Sequence, residues 1–234
     1  MYRRILLKLS GEILAGDKGF GIDPGKASYL ANEVKSVYEL GISIGLIIGA
    51  GNIFRGIDAS SRGMDRVTGD YLGMLATIMN AIAVQDALEK IDCETRTLSA
   101  INVSQIAEPY IRRRAIRHLE KGRVVIISGG TGNPFFTTDS AAALRAKELG
   151  ADVVLKGTKV NGVYDKDPME FDDAKKFNKI SFSQVLKDNL RVMDLTAITL
   201  CKENNLPIQV FNINHQGDLK QLVQGAKIGT LVSE

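Results

Sequence analysis

The sequence predicts an α/β fold built around a mostly parallel sheet, and three observations carry that expectation. Short apolar, β-branched runs alternate with segments of helical spacing along the whole chain, the order that crossover connections between parallel strands require. Several of those runs stop on glycine beside a lysine, an arginine or a hydroxyl. One stretch, Val124–Asp139 (VVIISGGTGNPFFTTD), joins a strand-like run to Gly129, Gly130 and Gly132, then to two threonines and an acid that open an amphipathic segment. Glycines lack a Cβ and let backbone lie against a ligand, and the free N–H groups of a helix start favour anions. Taken alone, that stretch has two readings: a phosphate seat, or a tight turn with Thr137 or Thr138 as N-cap.

Ile5–Leu9 reads as a buried strand interrupted by Lys8. A lysine there either snorkels or meets an anion. Ser10 and Gly11 follow at once, and phosphate binding explains ammonium, hydroxyl and backbone N–H in one cluster better than solvation does. Gly16–Gly21 (GDKGFG) reads from composition as a mobile connecting loop. Ala27–Leu40 has helical spacing in Leu30, Val34, Val37 and Tyr38 and closes on Gly41. Ile42–Ile48 is a second buried strand, ending in Gly49, Ala50 and Gly51 and then Arg55, whose planar fork suits phosphate oxygens and equally a surface salt bridge. Thr68–Lys90 is a long apolar helix expected to be buried on more than one side. Asp70 lies near its start, where the helix dipole favours a carboxylate.

Thr95–Ile101 is a strand, Ile106–Lys121 a helix, and Val124–Ser128 the central strand. A helix from Asp139 to Leu149 is capped by Gly150. Val153–Thr158 again ends in lysine, glycine and a hydroxyl, here Lys156, Gly157 and Thr158. Lys159–Pro168 is a turn-rich loop carrying Tyr164 and Asp167. Ser181–Lys187 and Asp194–Asn204 are helices, with Asp194 as an N-cap. Pro207–Asn212 is a strand, Leu219–Val223 a short helix and Thr230–Val232 the last strand. Parallel sheets bind ligands beyond the carboxyl ends of their strands, where Lys8, Gly51, Gly130 and Lys156 all fall.

Composition bounds the function. With 44% hydrophobic and 24% charged residues, the 234-residue chain has the apolar content for one large core. A net charge of +3 is too mild for a dedicated nucleic-acid binder, the arginines of Arg112–Arg117 would spread over a solvated helix, and few aromatics are available for stacking. Cys93 and Cys201 belong to no CxxC pattern and need not pair, which fits a reducing compartment. No apolar stretch approaches membrane-spanning length and no signal peptide precedes the first strand, so the expected location is cytoplasmic. His118 and His215 are too few for a histidine-ligated metal, so an oxygen-liganded cation such as Mg²⁺ is the expected metal. Motifs of P-loop proteins, dinucleotide-binding folds, protein kinases and Ser/His/Asp hydrolases are missing. What remains is lysine, arginine, glycine-turn and carboxylate chemistry, suited to phosphoryl transfer without a covalent intermediate.

Lys8-Leu9-Ser10-Gly11, Gly51–Gly56 (GNIFRG), Thr131–Asp139 (TGNPFFTTD) and Val192–Ala197 (VMDLTA) resemble the bacterial uridylate (UMP) kinases of the amino acid kinase superfamily, and the likeness runs from Tyr2 through essentially the whole chain. The Lys-Leu-Ser-Gly element is shared across the superfamily, whereas GTGNPFFTTD marks the UMP kinase branch. The resemblance implies a three-layer αβα sandwich, amino acid kinase-like, as a single domain over residues 1–234, with an N-terminal acceptor lobe to about 150 and a C-terminal ATP lobe after it. It implies transfer of the γ-phosphoryl of ATP to UMP, with Mg²⁺, in pyrimidine nucleotide synthesis.

Carried over by position, Lys8, Leu9, Ser10, Gly11, Gly51 and Arg55 would surround the ATP phosphates, with Thr158, Tyr164 and Asp167 on the ATP-side loop. Ala50, Asp70, Thr131, Gly132, Asn133, Pro134, Phe135, Phe136, Thr137 and Thr138 match UMP-binding positions. Catalysis would rest on Lys8 and Lys156 for charge stabilisation, Arg55 as a phosphate clamp, and Asp139 to orient Lys8 or hold Mg²⁺; the resemblance assigns no metal ligands. Two departures stand out: Ala50 replaces a glycine common in the family, where a positive φ would be costly, and Asn161 replaces a frequent aspartate. Gly16, Asp17, Lys18, Gly19, Phe20 and Gly21, with Arg96 and Arg123, match segments tied to GTP activation. UTP inhibition and a homohexamer with contacts from the Thr68–Lys90 helix are further implications. Two rivals are a superfamily kinase acting on a carboxylate or carbamate, and a non-catalytic nucleotide-binding regulator.

Overall fold

A computed structural model describes residues 2–54 and 63–234. Along the chain it has β1 Arg4–Leu9, α1 Pro24–Tyr38, β2 Ser43–Ile48, α2 Arg66–Glu89, β3 Thr95–Ser99, β4 Glu108–Pro109, α3 Arg112–Glu120 and β5 Val124–Ser128. Then come α4 Thr138–Leu149, β6 Val153–Thr158, β7 Lys179–Ile180, α5 Phe182–Lys187, α6 Leu195–Glu203, β8 Ile208–Asn212, α7 Asp218–Val223 and β9 Thr230–Val232. The strands form one sheet in the order β4-β3-β5-β2-β1-β6-β8-β9-β7. Neighbours pair parallel except β8 with β9, so β9 and its parallel partner β7 run against the rest.

Helices cover both faces, as the apolar runs require. Ile5, Leu7, Leu9, Ile44, Leu46 and Ile48 pack with α1, α2 and α7, while Leu6, Ile47, Val125, Ile127 and Val154 pack with α3, α4, α5 and α6. Alternate residues of one strand thus enter different cores, and only a near-continuous apolar run satisfies both. That is the three-layer arrangement expected from the sequence.

Several expectations need correction. Gly16–Lys18 is a turn of 3₁₀-helix, not a plain loop, and a second such turn spans Gly11–Leu14. The helix expected from Ile106 starts at Arg112, because Glu108 and Pro109 pair with Leu98 and Ser99 as the sheet's edge strand, a place that tolerates proline. α2 is buried on one side only. Met74, Ile78, Ala81, Val84 and Leu88 face the sheet, whereas Leu75 and Met79 are 45% and 54% exposed. Its 24 residues are also long and apolar enough, by length and composition, to cross a bilayer, contrary to the expectation of no such stretch; in this fold one face of it packs into the core and the other is exposed.

The carboxyl ends that matter belong to β5, β2, β1 and β6, side by side at the centre of the sheet. From β1 the chain turns one way to β2 and later crosses over to place β6 on the other side of β1. The crevice between β1 and β6 is therefore the topological switch point, the ligand position of open α/β sheets.

At Gly229 the backbone has φ +78°, and a Cβ would run into the Val210 carbonyl where β9 meets β8. Gly229→Ala should cost about 3 kcal/mol, from left-handed strain plus the clash. Urea unfolding measures it, and a loss below about 0.5 kcal/mol would contradict the contact.

Candidate active site

Lys8 and Lys156 are register partners on β1 and β6 and project from the same face of the sheet. Asp139, in the first turn of α4, meets both: its Oδ1 lies 2.6 Å from Lys8 Nζ and its Oδ2 2.9 Å from Lys156 Nζ. Lys156 Nζ also donates to the Val192 carbonyl. All three side chains are largely buried. α4 starts here because Thr137 caps it, its Oγ1 accepting from the Asp139 and Ser140 amides. Its Ala141, Ala142, Ala143 and Ala146 are small enough to bring the helix close to the sheet.

Two cations share one carboxylate. Burial pushes the Asp139 carboxyl up, but the Lys8 and Lys156 ammonium groups outweigh it and hold the group below its ordinary value. Lys156 is displaced downward, by burial first and by repulsion from Lys8, against the pull of Asp139 and Asp194. By direct contact the cluster sets two ammonium groups against one carboxylate in a poorly solvated place, with Asp194 acting on Lys156 from further off.

Asp194 ties a further element to this centre. It caps α6, accepting from the Ala197 amide, and it also accepts from Ser140 Oγ and Thr137 Oγ1. The capping role expected for it holds, and the bonds across to α4 are an addition. They fix the end of α4 that carries Asp139.

On one side of the lysines opens a cavity of about 520 Å³, lined by Lys8, Ser10, Gly16, Asp17, Lys156 and Thr158, with Glu12, Ile13, Lys26, Gly157, Lys159, Ile213 and Asn214 completing it. Of the ATP-side expectations, Lys8, Ser10 and Thr158 reach this space. Leu9 is fully buried in the core, and its carbonyl accepts from the Gly49 amide. Gly11 is buried against Gly49 and Asn52. Tyr164 bridges to Lys176, and Asp167 accepts from the Met169 amide to close its own turn; neither lines the cavity. Gly51 lies in the turn after β2, and Arg55 lies outside the described residues. A larger cavity, about 720 Å³, opens at the far end of the sheet near Tyr2, Gln209 and Lys227, away from all of these groups.

On the other side lies the turn from Gly129 to Thr137. Gly129, Gly130 and Gly132 have φ of +73°, +59° and +86°, so the glycine run serves the turn itself. Phe135, at φ +73°, is a non-glycine in the same region, and its amide donates to Asp70 Oδ2 at 2.7 Å. Arg66 Nε holds both Asp70 oxygens at 2.9 Å. Thr131 and Asn133 close a local turn, and Arg145 reaches the Thr131 carbonyl while stacking on Tyr110. Phe135 and Phe136 stand exposed beside Pro134 and Thr138. Ala50 is not among the positive-φ residues, so the alanine sits in its turn without the strain foreseen for it.

The residues matched to an effector divide within one chain. Gly16–Gly21 lies at the carboxyl ends of the strands, with Phe20 68% exposed. Arg96 and Arg123 lie at the amino ends of β3 and β5, where Arg96 pairs with Glu89 and Arg123 pairs with Glu94 and contacts His118. Glu12, Lys26, Lys159 and Asn214 were missed. Asn214 could have been found, since it closely follows the carboxyl end of β8, the strand beside β6; the other three carry no sequence pattern. Cys93 and Cys201 are buried and free, and burial pushes their thiols up to about 11 and about 12.

Among the described residues no three acidic, histidine or cysteine side chains converge on a metal position, and Asp139 is already engaged by two ammonium groups. A resident protein-held cation does not fit here.

A mostly parallel open sheet with a lysine–carboxylate centre at its switch point suits phosphoryl transfer, and comparison with known proteins points to the same class. The model of the amino acid kinase family matches residues 3–212, and the chain belongs to that family. Its likeness extends to solved UMP kinases: one from Bacillus anthracis is 39% identical with a TM-score of 0.96, covering 99% of this chain and 96% of that one. Another, from Ureaplasma parvum, is 37% identical with a TM-score of 0.93 and full coverage of both chains. A uridylate kinase from Archaeoglobus fulgidus is 26% identical with a TM-score of 0.73, over 98% of this chain and 99% of that one.

Because the Asp139 carboxyl is held below its ordinary 3.8, its stabilising contribution is complete above that value. It is lost as pH falls through the lower folded-state value. Asp139→Asn should cost about 3 kcal/mol at neutral pH by leaving two buried cations without a counter-charge. Urea unfolding of both proteins from pH 7 down to pH 3 should show the gap steady at first and shrinking below about pH 4. A gap that widens in acid would contradict the assignment.

Proposed function

We propose that this chain is a UMP kinase, transferring the γ-phosphoryl of ATP to UMP to give UDP and ADP. The observation that carries the reading is the buried pair Lys8 and Lys156 on a single carboxylate, with an open cavity on one side and the Gly129–Thr137 turn on the other. Full-length similarity to two bacterial UMP kinases supports the choice of acceptor.

In this reading the cavity takes ATP with Mg²⁺ on its phosphates, against Lys8, Ser10 and Thr158, and the family likeness adds Gly11, Gly51, Arg55, Tyr164 and Asp167 as ATP-side positions. UMP lies against Ala50, Asp70 and Thr131–Thr138. The acceptor is a phosphate oxygen already ionised at neutral pH, so no strong general base is required. Alignment and charge stabilisation carry the rate. Lys8 and Lys156 neutralise charge on the transferring group, Arg55 clamps it, and Asp139 holds both ammonium groups at the right height.

The exposed Leu72, Leu75, Met79 and Ile82 of α2 provide the apolar surface for self-association, and we assign it to subunit contacts of a homohexamer. GTP activation through Gly16–Gly21, Arg96 and Arg123 would then be shared between subunits, since one chain holds those residues apart. UTP inhibition, a cytoplasmic location and division into an acceptor lobe to about 150 and an ATP lobe after it belong to the same proposal.

With MgATP supplied, ADP release should require UMP and be absent with acetylglutamate, glutamate or carbamate; the reverse pattern would remove the proposal. Lys8→Ala should lower kcat by at least about 100-fold while changing the UMP dissociation constant by less than about fivefold, because its charge matters most where negative charge moves. Collapse of UMP affinity with kcat retained would mean that Lys8 has another role.

A further inference from the structure

The glycine turns after β1 and β2 meet on one buried amide pair. Asn52, 1% exposed, follows Gly49–Gly51, and Asn80, fully buried, projects from α2. Asn52 Nδ2 donates to Asn80 Oδ1 at 2.9 Å, and Asn80 Nδ2 donates back to Asn52 Oδ1 at 2.8 Å. Each amide nitrogen also donates to a backbone carbonyl: Asn52 to Gly21 and Asn80 to Gly49, both at 2.7 Å. All four N–H groups and both oxygens are engaged. The two carbonyls fix the orientation of each amide, because an amide oxygen turned toward either would be repelled.

Three segments converge there. Gly11 is packed so closely that a Cβ would collide with Asn52 Oδ1 and the Gly49 carbonyl. The Gly49 amide donates to the Leu9 carbonyl, joining the two turns directly. Gly21 is held twice, its carbonyl by Asn52 Nδ2 and its amide by the Asn52 carbonyl at 2.8 Å. An apolar pair could fill this space without the cost of desolvating two amides. What the amides add is direction, since hydrogen bonds weaken steeply when misaligned.

We infer that the Asn52–Asn80 pair is a positioning device that sets the separation of the Ser10–Gly11 turn from the Gly49–Gly51 turn. It thereby sets the alignment of the phosphates those turns bind. This rests on the UMP kinase reading and deepens it. Neither amide touches a substrate; each acts through the backbone it holds. A reaction that relies on alignment is sensitive to such a support, and a misplacement of about 1 Å costs on the order of 100-fold in rate.

The test measures kcat, both KM values and melting temperature for the whole protein, Asn52→Ala, Asn80→Ala, the double variant and the milder Asn80→Ser. Each alanine variant should lose roughly 10- to 100-fold in kcat at a temperature where it is folded, with KM for UMP and ATP changed less than about threefold. The double variant should lose no more than the worse single one, because the pair acts as a unit. Amide exchange over residues 15–23 and 47–53 should speed up in every variant, a readout that needs no turnover.

Lower melting temperatures with kcat within about twofold of the parent would reduce the pair to a structural role and overturn the inference. Multiplying losses in the double variant would overturn it too. If the alanine variants do not fold, Asn80→Ser decides on the same criteria. A parent protein that does not turn over UMP would remove the functional reading and this inference together, whereas active parent and undiminished variants remove the inference alone.

Discussion

The site depends on an imbalance of buried charge. One carboxylate, Asp139, faces two ammonium groups from adjacent strands, and the register of β1 and β6 sets their two Cα atoms side by side. Burying an ion is costly unless it is paired, so a one-to-one pair would be the stable arrangement. Here the carboxylate meets both ammonium groups, while Lys156 is displaced downward despite its partner. The cost falls on Lys156, and an anion beside it would relieve that cost. Fixed charges held in place by the fold in this way are what electrostatic preorganisation means in structural terms.

Keeping that imbalance in place requires support from several directions. Asp139 sits in the first turn of α4, and that turn is fixed by Thr137, Ser140 and Asp194, the last being the cap of α6. α2 supports the turns on the other side of the sheet. Asp70 accepts from the Phe135 amide, Thr77 Oγ1 accepts from the Gly129 amide at 2.8 Å, and Asn80 donates to the Gly49 carbonyl. These three lie along one helix, so a shift of α2 would move both ends of the Gly129–Thr137 turn and the turn after β2 together. Its opposite face carries the exposed Leu72, Leu75 and Met79.

Much of the fold was legible because both faces of the central strands are buried. Ile5–Leu9, Ile42–Ile48 and Val153–Leu155 are nearly continuous apolar runs, and such runs announce a covered parallel sheet. Lys8 and Lys156 were legible as interruptions of those runs at the carboxyl ends. Their sharing of Asp139 was not, because nothing local records that the two strands are neighbours in register. β4 and β7 have two residues each, too few for any period. The burial of α2 was misjudged for a related reason: its apolar residues cover nearly the whole circumference, and hydrophobicity alone cannot tell a face on the sheet from a face left open.

Asn52 and Asn80 mark where sequence reading stops. Each looks like an ordinary polar residue, one in a glycine turn and one in a helix, and their pairing is long-range. A buried asparagine in the middle of an apolar helix is nonetheless a signal, since it costs free energy unless every donor and acceptor finds a partner. Here every partner is either the other amide or a glycine carbonyl in the turns beside the site. Glycine turns gain close approach by giving up side chains, and with them the packing that would hold them still. The rigidity has to come from elsewhere, and in this chain it comes from α2. The glycine turns and the helix that restrains them are therefore one design, with the amide pair as the joint between them.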